Sequence, residues 1–339
     1  MNKIGQDINL ASKYIINGDI VVFPTETVYG IGADATNKEA VDKIFEAKKR
    51  PADNPLIVHV CDLDMLNKVA SDIGEIEKKL IGKFWPGPLS IIFKSKKCIP
   101  LNVTAGLGSV AVRMPDNTIA LELIKVSNKP IAAPSANISS RPSGTCIEDI
   151  YDELESTVSY FIDGGNSKVG IESTVVRVID GVVNVLRPGK ISIEDILKVT
   201  DKVIMDDKCL NKVNDNEQVL SPGMKHRHYA PNTKCIAISS LEHNNIVNKI
   251  NEIIENSINN ITVMVTSDNI DKIIKNSNVN IIDLGNDLDE VSTKLFSSLR
   301  KLDKLNSDIC YIQGFELYGL GTGIMNRIIR ACNYEIIYV

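Results

Sequence analysis

A short apolar segment that runs into a proline-led polar loop is the feature that most limits how this chain can fold. Residues 20–23 are all apolar, as in a buried strand, and Pro24 ends that strand because proline cannot donate to a sheet ladder. The loop at 24–32 then brings hydroxyls, a carboxylate and two glycines together. In α/β proteins ligands bind at strand ends, so this loop is a candidate binding element. The simpler alternative is that Thr25 and Thr27 only cap a following helix.

Alternating apolar and polar segments predict an α/β fold throughout the chain, which at 339 residues is long enough for two domains. In the first part, strands are predicted at 56–60, 89–93, 110–114 and 130–134, and helices at 7–17, 37–49 and 63–81. In the last part, strands are predicted at 235–238, 261–266, 280–284, 308–314 and 335–339, and helices at 242–258, 269–276, 288–305 and 323–332. We therefore expect a domain at 1–204, a linker at 205–233 and a smaller α/β domain with a mostly parallel sheet at 234–339.

Composition and charge argue against several classes of protein. No apolar run approaches the roughly 20 residues that span a bilayer, and the polar N-terminus lacks a signal-peptide core, so we expect a cytoplasmic protein. The seven cysteines are scattered without a CxxC pair, which disfavours a disulfide framework or a zinc site. The net charge of −5 disfavours a nucleic-acid-binding domain, although a local basic pocket for a small anion remains possible.

Three basic side chains in the first part are candidates for anion binding. Lys48 and Arg50 lie at the end of the helix predicted at 37–49, where they either complement the helix dipole or point across a cleft at phosphates. Arg113 lies in an apolar strand and needs an anionic partner there, which indicates either a structural salt bridge or a carboxylate-binding site. His59, in the strand at 56–60, fits a core residue better than a ligand-binding one.

Three loops have the composition of binding elements. The loop at 135–145 is dense in hydroxyls and carries an amide and a guanidinium, which indicates either a well-capped turn or an anion site. In the linker, prolines bracket a basic, tyrosine-bearing segment at 221–231, which we expect to fold over an anionic ligand as a lid. His226 and His228 lack a third metal ligand nearby, so a metal site there is disfavoured. The glycine-rich turn at 319–323 resembles a phosphate loop but departs from GxGxxG.

Taken in order, eight motifs of the first part resemble those of the YrdC-like threonylcarbamoyl-AMP synthases. They are Pro24-Thr-Glu-Thr-Val-Tyr-Gly, Lys48-x-Arg50, Asn54-Pro-Leu, Phe84-Trp-Pro-Gly-Pro, Val112-Arg-Met-Pro115, Pro134-Ser-Ala-Asn137, Glu172-Ser-Thr-Val and Leu186-Arg-Pro-Gly189. The linker and the last part resemble the long, two-domain form of that family. The last part matches more loosely, apart from its glycine-rich turn and Met325-Asn-Arg327.

The resemblance implies a fold and an activity. The fold would be a twisted, open, mixed α/β sheet around a basic central cavity, followed by the linker and a Rossmann-like domain. The activity would be that of a nucleotidyltransferase, which converts ATP, L-threonine and bicarbonate into L-threonylcarbamoyladenylate and pyrophosphate. Partner proteins, the tRNA threonylcarbamoyl transferases, would then modify a tRNA adenosine. Mg²⁺ would arrive with ATP, held by phosphate oxygens and water without a dedicated protein cage. Direct tRNA binding is only weakly implied, and no membrane is.

The resemblance also assigns roles to residues by position. Threonine would be held by Thr27, His59, Arg113, Ala133 through its carbonyl, and Ser173. ATP would be held by Arg50, Asn54, Ser109, Ser135, Ser143, Arg187 and Tyr229, the last closing over the nucleotide. Lys48, Arg50, Ser135 and Asn137 would be the catalytic residues. Phosphoryl transfer needs positioning and charge neutralisation more than a protein nucleophile, which suits such a set.

Two other functions compete with adenylate formation. An RNA-binding module could use the same cavity, but the acidic isoelectric point of about 5.5 argues against it. A carbamoyl-transfer domain of the hydrogenase-maturation kind would share the cavity as well. The chain lacks the zinc-type cysteine clusters and the acylphosphatase-like segment of such proteins.

Overall fold

A computed structural model describes residues 3–212, 229–240 and 243–339, and contains two sheets flanked by helices. The strands of the first sheet are β1 (Ile4–Gly5), β2 (Val21–Phe23), β3 (Gly30–Asp34), β4 (Ile57–His59), β5 (Ala70–Ser71), β6 (Leu89–Ser95), β7 (Ser109–Arg113), β8 (Ile131–Ala132), β9 (Tyr160–Ile162), β10 (Thr174–Ile179), β11 (Val182–Arg187) and β12 (Val203–Met205). The helices of this part are α1 (Ile8–Ile16), α2 (Lys38–Lys48), α3 (Leu63–Val69), α4 (Glu75–Phe84), α5 (Leu101–Thr104), α6 (Thr118–Ser127), α7 (Tyr151–Leu154) and α8 (Ile193–Ile196).

The first sheet mixes parallel and antiparallel pairs in the order β1-β9-β2-β3-β8-β4-β7-β6-β10-β11-β12, with β5 beside β6. β4 pairs with β7 in parallel, whereas β6 pairs with β7 antiparallel. The expected open mixed sheet is therefore confirmed. Its strands are short. They are apolar because helices cover them on the core side, where the largest cluster of buried side chains lies.

Strand alternation decides which side chains leave the core. Val58 and Val112 are register partners on β4 and β7 and belong to the main core. The next pair, His59 and Arg113, points to the opposite face, because successive side chains on a strand alternate. Both strands end there, so these two polar side chains are brought to one edge of the sheet.

The second sheet is a parallel, five-stranded one in the part of the chain that the structure describes. Its strands are β13 (Lys234–Ser239), β14 (Ile261–Val265), β15 (Val279–Asp283), β16 (Ile309–Gln313) and β17 (Ile336–Tyr338), and its helices are α9 (His243–Glu255), α10 (Leu288–Leu302) and α11 (Leu320–Ala331). The strand order is β15-β14-β16-β13-β17, with every pair parallel. The mostly parallel sheet expected for this domain is confirmed. No helix among the described residues is long and apolar enough to cross a membrane.

Two predicted helices are wrong in extent. The helix predicted at 63–81 is two helices, α3 and α4, because Ala70 and Ser71 leave the first helix to pair with β6 and Asp72 adopts a left-handed conformation. The helix predicted at 269–276 is a short 3₁₀ helix, Ser267–Lys272. Its Asn269 side chain is buried and donates to Thr266 and Gln313 at the strand ends, which ties this segment down.

The glycine-rich turn at 319–323 packs against the first domain. A Cβ at Gly323 would lie 2.9 Å from the carbonyl oxygen of Gly189 and 3.0 Å from its Cα. A Cβ at Gly189 would in turn lie 2.7 Å from the carbonyl oxygen of Glu172. The two glycines thus let α11 approach the backbone of the first domain closely. The close approach to the first domain accounts for Gly323, whereas a Cβ at Gly321 would meet the Glu316 carbonyl oxygen and Gly319 has a positive φ.

Replacing Gly323 by alanine is expected to destabilise the protein by about 1–3 kcal/mol, because the methyl group meets backbone atoms that cannot rotate away. The matched control is Gly82→Ala in α4, where a Cβ meets nothing within 4 Å. The control should leave stability unchanged or raise it by up to about 1 kcal/mol, since alanine favours helix. Thermal and chemical denaturation of both variants measure the difference, and equal stabilities would contradict the tight contact.

Candidate active site

The face of the first sheet opposite the main core borders a cavity with about 690 Å³ of empty space, part of it open to solvent. Most of the residues assigned by resemblance line it: Thr27, Lys48, Arg50, His59, Arg113, Ala133, Ser135, Asn137, Ser173, Arg187 and Tyr229. They come from distant parts of the chain, from the loop after β2 to the segment that precedes β13. The cations and hydroxyls therefore face one chamber, which makes the cavity basic.

Three of the assigned residues are not among those that line the cavity. Ser143 lies behind it and donates from Oγ to the Glu172 carboxylate at 2.5 Å. Asn54 is buried beneath Arg50 and accepts a hydrogen bond from that guanidinium through its carbonyl. Ser109 shares a face of β7 with Arg113 but lies four residues, about 13 Å, along the strand. It borders a separate shallow depression with Lys94. The roles given to these residues stay predictions.

The loop after β2 forms one wall of the cavity. A strand, β3, follows this loop, so the idea that Thr25 and Thr27 cap a helix is wrong. Thr25 Oγ1 lies 2.9 Å from Thr27 Oγ1 and donates to the carbonyl oxygen of Val28 at 2.6 Å. The two hydroxyls thus hold the loop in a compact turn, and both residues line the cavity.

Of the two interpretations left open for Arg113, the structure shows the structural salt bridge, and the carboxylate-binding site stays a prediction. Its Nη2 lies 2.6 Å from a carboxylate oxygen of Glu26, and both side chains are almost fully buried. Its Nη1 donates to Thr27 Oγ1 at 2.8 Å and its Nε to the Gly87 carbonyl at 3.2 Å. Within the described residues, two of the five guanidinium donors remain for a ligand. Glu26 was missed as the partner of Arg113; the only sequence signal was a carboxylate beside Thr27.

His59 lies next to Arg113 and is buried in the cavity wall. Burial, and then the charge of Arg113, lower the pKa of His59 to about 3. The imidazole is therefore neutral at pH 7, so it offers one donor and one acceptor rather than a second positive charge. A neutral ring beside a carboxylate-binding arginine suits a substrate that also carries a hydroxyl or an amine.

Replacing His59 by glutamine is expected to make the protein less sensitive to acid. The unfolded chain binds a proton at His59 below about pH 6.5 and the folded protein does not, so the stability is complete above that pH and is lost as the pH falls toward 3. Between pH 7 and pH 5 the wild type should lose about 2 kcal/mol more stability than His59→Gln. Chemical denaturation at the two pH values measures this, and parallel losses would contradict a neutral buried histidine.

Lys48 ties the end of α2 to the polar loop after β8. Its Nζ donates to the carbonyl oxygens of Ser135 and Asn137, both at 2.5 Å, and Ser135 Oγ donates to Asn137 Oδ1 at 2.6 Å. Burial, and then the charge of Arg50, hold the pKa of Lys48 well below its usual range. A buried ammonium in the cavity wall favours the interpretation that this helix end faces a ligand rather than only complementing a dipole.

Two arginines complete the basic wall. Arg50 donates from Nε and Nη2 to the carbonyls of Asn54 and Pro55, which fixes its direction. Arg187 donates from Nε to the carbonyl of Ser173 at 3.0 Å and from Nη2 to its hydroxyl at 3.1 Å. Burial lowers the pKa of Arg50 to about 9 and that of Arg187 to about 10, so both remain charged at pH 7. Rigid, charged guanidinium groups are suited to phosphate oxygens.

Residues that the resemblance did not assign also shape the cavity. Glu172 lines it, and its carboxylate is held by Arg327 of α11. Tyr229 is buried and stacks on Phe296 of α10, with ring centroids 5.1 Å apart. The second domain therefore takes part in this site, which no local sequence pattern indicated. The rest of the expected lid, 221–228, including His226 and His228, lies outside the described residues.

Comparison with known proteins agrees with this geometry. Residues 13–189 match the family model of the Sua5, YciO and YrdC proteins, described as "Telomere recombination", and residues 191–333 match the model "Threonylcarbamoyl-AMP synthase, C-terminal domain". A threonylcarbamoyl-AMP synthase of Pyrococcus abyssi is 39% identical over 98% of this chain and 96% of its own length. One of Bacillus subtilis is 39% identical over 96% of this chain and 93% of its own length.

A solved structure extends the comparison to the arrangement of both domains. The crystal structure of P. abyssi Sua5 in complex with L-threonine superimposes with a TM-score of 0.92 at 37% identity, covering 99% of each chain. The fold of the described residues thus follows one known architecture. The chain belongs to the threonylcarbamoyl-AMP synthase family, in its two-domain Sua5 form.

Proposed function

We propose that this chain synthesises L-threonylcarbamoyladenylate from L-threonine, bicarbonate and ATP and releases pyrophosphate. The observation that carries the proposal is the shared chamber of Arg50, Arg113, Ser135 and Arg187. It occurs in a chain whose relatives over nearly the full length are named threonylcarbamoyl-AMP synthases. A basic chamber of this size holds a nucleotide beside a small amino acid.

Threonine is assigned to the end of the cavity at Arg113. The two remaining donors of that guanidinium bind the substrate carboxylate, because a planar fork matches its two oxygens. Neutral His59, Thr27 and Ser173 supply hydrogen bonds to the hydroxyl and the amine, and the carbonyl of Ala133 accepts from the amine. Support for this pose comes from the P. abyssi relative, whose structure is a complex with L-threonine.

ATP is assigned to the end of the cavity at Lys48, Arg50 and Arg187. The threonine amine adds to bicarbonate with loss of water, and a carbamate oxygen attacks the α-phosphorus while pyrophosphate leaves. The reaction requires alignment of the two substrates and neutralisation of the phosphate charge, which fixed cations provide. Ser135 and Asn137, held by Lys48, line the space between the two ends. Tyr229 covers the nucleotide, and Asn54, Ser109 and Ser143 are assigned to it by resemblance alone.

Mg²⁺ enters with ATP in this proposal and neutralises phosphate charge. Its ligands are phosphate oxygens and water, because the described residues hold no group of three or more His, Cys, Asp or Glu side chains that could bind a metal. The cavity carboxylate of Glu172 is already engaged by Arg327 and Ser143.

The product is an activated carbamoyl group that partner proteins transfer to a tRNA adenosine, and we place this step in the cytoplasm.

Incubating the protein with ATP, threonine and labelled bicarbonate tests the proposal. Pyrophosphate release should depend on threonine, and the label should appear in an adenylate. Pyrophosphate release that ignores threonine would overturn the proposal. Tight tRNA retention without ATP turnover would favour an RNA-binding module instead.

A further inference from the structure

One buried side chain of the second domain contacts residues of the cavity wall. Arg327, on α11, is completely buried. Its Nε donates to a carboxylate oxygen of Glu172 at 3.0 Å, and its Nη2 donates to the carbonyl oxygen of the same residue at 3.0 Å. Its Nη1 donates to the carbonyl of Pro188. This one guanidinium group therefore donates hydrogen bonds to two segments of the first domain, one before β10 and one after β11.

The two segments that Arg327 bonds lie next to residues of the proposed site. Glu172 precedes Ser173, and Pro188 follows Arg187. Arg187 and Ser173 are bonded to each other by two hydrogen bonds, and Ser173 Oγ lies 2.8 Å from Ser90 Oγ. Arg327 thus lies directly behind the pair that joins the threonine end of the cavity to the nucleotide end, and it fixes the spacing of that pair.

The contact between Arg327 and Glu172 is an ion pair as well as a packing contact, because the Glu172 carboxylate is charged. Burial opposes its ionisation, but Arg327 and Arg187 outweigh burial and hold the pKa of Glu172 below its usual range, with help from the Ser143 hydroxyl. The carboxylate is therefore charged and has one cation from each domain near it. Without Arg327, Arg187 would be the remaining cation that lowers the pKa of this carboxylate.

Arg327 also touches the linker. Its guanidinium carbon lies 5.8 Å from the ring centroid of Tyr229, within the range of a cation–π contact. The Tyr229 ring also stacks on Phe296, which likewise belongs to the second domain. The same side chain therefore contacts three elements of the cavity: the Glu172 segment, the turn after β11 and the tyrosine that covers the nucleotide site.

We propose that Arg327 is a positioning residue for adenylate formation. It holds Glu172 away from Arg187, so that the Arg187 guanidinium stays bonded to Ser173 and directed into the cavity. The inference rests on the proposed function and deepens it, because it gives the second domain a direct part in nucleotide binding and turnover.

The test uses the full chain with Arg327→Met, Arg327→Lys and the matched control Arg330→Met. Arg330 lies one turn further along α11, is also buried and donates to the carbonyl of Lys208. We expect Arg327→Met to raise the KM for ATP and lower kcat by at least about tenfold each. Arg327→Lys should recover part of the loss, because one ammonium can pair with Glu172 but cannot also reach Pro188. Arg330→Met should stay within about twofold of the wild type.

A second substitution separates positioning from simple destabilisation. If Glu172 captures Arg187 when Arg327 is missing, then adding Glu172→Gln to Arg327→Met should restore the KM for ATP at least partly, although kcat stays low. This double variant also lacks an uncompensated buried charge, so it serves if Arg327→Met fails to fold. Thermal denaturation of each variant shows whether the folded fraction has changed.

The outcomes are distinct for the two proposals. A wild-type protein without threonine-dependent pyrophosphate release removes the proposed function, whatever the variants do. An active wild type in which Arg327→Met matches Arg330→Met in kcat and KM overturns the role of Arg327. An unchanged KM for ATP in Arg327→Met/Glu172→Gln relative to Arg327→Met overturns the capture of Arg187 by Glu172.

Discussion

The combined substitution Arg113→Met and Glu26→Gln is expected to raise the dissociation constant for L-threonine at least about 100-fold, or about 2.7 kcal/mol. The Arg113 guanidinium is the only cation assigned to the threonine carboxylate, and charge-assisted bonds of this kind contribute about 1.5–3 kcal/mol each. The dissociation constant for ATP should change by less than about threefold, because Lys48, Arg50 and Arg187 remain. Isothermal titration of each ligand measures both constants.

The double substitution is chosen because Arg113 has a protein partner as well as a proposed ligand. Arg113→Met alone would leave the buried Glu26 carboxylate unpaired, at a cost of about 3–5 kcal/mol to folding. Glu26→Gln alone is the matched control: it keeps the guanidinium, so threonine should still bind. Equal losses of threonine and ATP affinity in the double variant would contradict the carboxylate-binding role of Arg113.

Lys48→Met is expected to lower kcat at least about 100-fold. The substitution removes a positive charge from the nucleotide end and leaves the carbonyls of Ser135 and Asn137 without their shared donor, so the loop that carries both side chains loses its anchor. The matched control is Lys49→Met, because Lys49 is the adjacent residue but is exposed at the left-handed C-cap of α2. The control should keep nearly full activity in the pyrophosphate assay.

Lys48 also supplies a readout that loop disorder alone would not change. Burial and Arg50 depress the pKa of its ammonium in the empty protein, and a polyphosphate beside it raises that pKa again. At a pH above this lowered pKa, ATP binding should therefore take up protons in the wild type and fewer in Lys48→Met. Calorimetry in buffers of different ionisation enthalpy measures the uptake. Identical uptake in both proteins would contradict the placement of Lys48 beside the phosphates.

Much of the architecture follows from local pattern, because buried strands and amphipathic helices leave clear periodicities. The strands at β4, β7 and throughout the second sheet were predicted close to their observed bounds. The failures occur where tertiary contacts override the pattern. Ala70 leaves a helical segment to pair with Ser95 of β6, and Asn269 is bonded to the ends of two other strands. Ser95 and Gln313, the partners on β6 and β16, are both distant in sequence from the residues they bond.

The candidate site was likewise predictable only in part from local sequence pattern. Arg113 in an apolar strand indicated an anionic partner, but the sequence could not choose between a structural salt bridge and a substrate carboxylate. The structure shows the salt bridge, to Glu26, and has Arg113 in the cavity wall. The sequence identified Arg327 only as part of the matching Met325-Asn-Arg327 motif, without a role. Its role depends on a contact with Glu172, 155 residues away, which exists only after the second domain has docked.

The cavity holds three basic side chains, Lys48, Arg50 and Arg187. Beside burial, the charge of Arg50 lowers the pKa of Lys48, and the charge of Arg187 lowers the pKa of Arg50. Among the described residues, neither Lys48 nor Arg50 has an ion-pairing carboxylate, so the empty protein stores repulsion that a polyphosphate relieves. Saturation at 100 times the dissociation constant adds about 2.7 kcal/mol of stability. ATP is therefore expected to act both as a reactant and as a ligand that stabilises the folded protein.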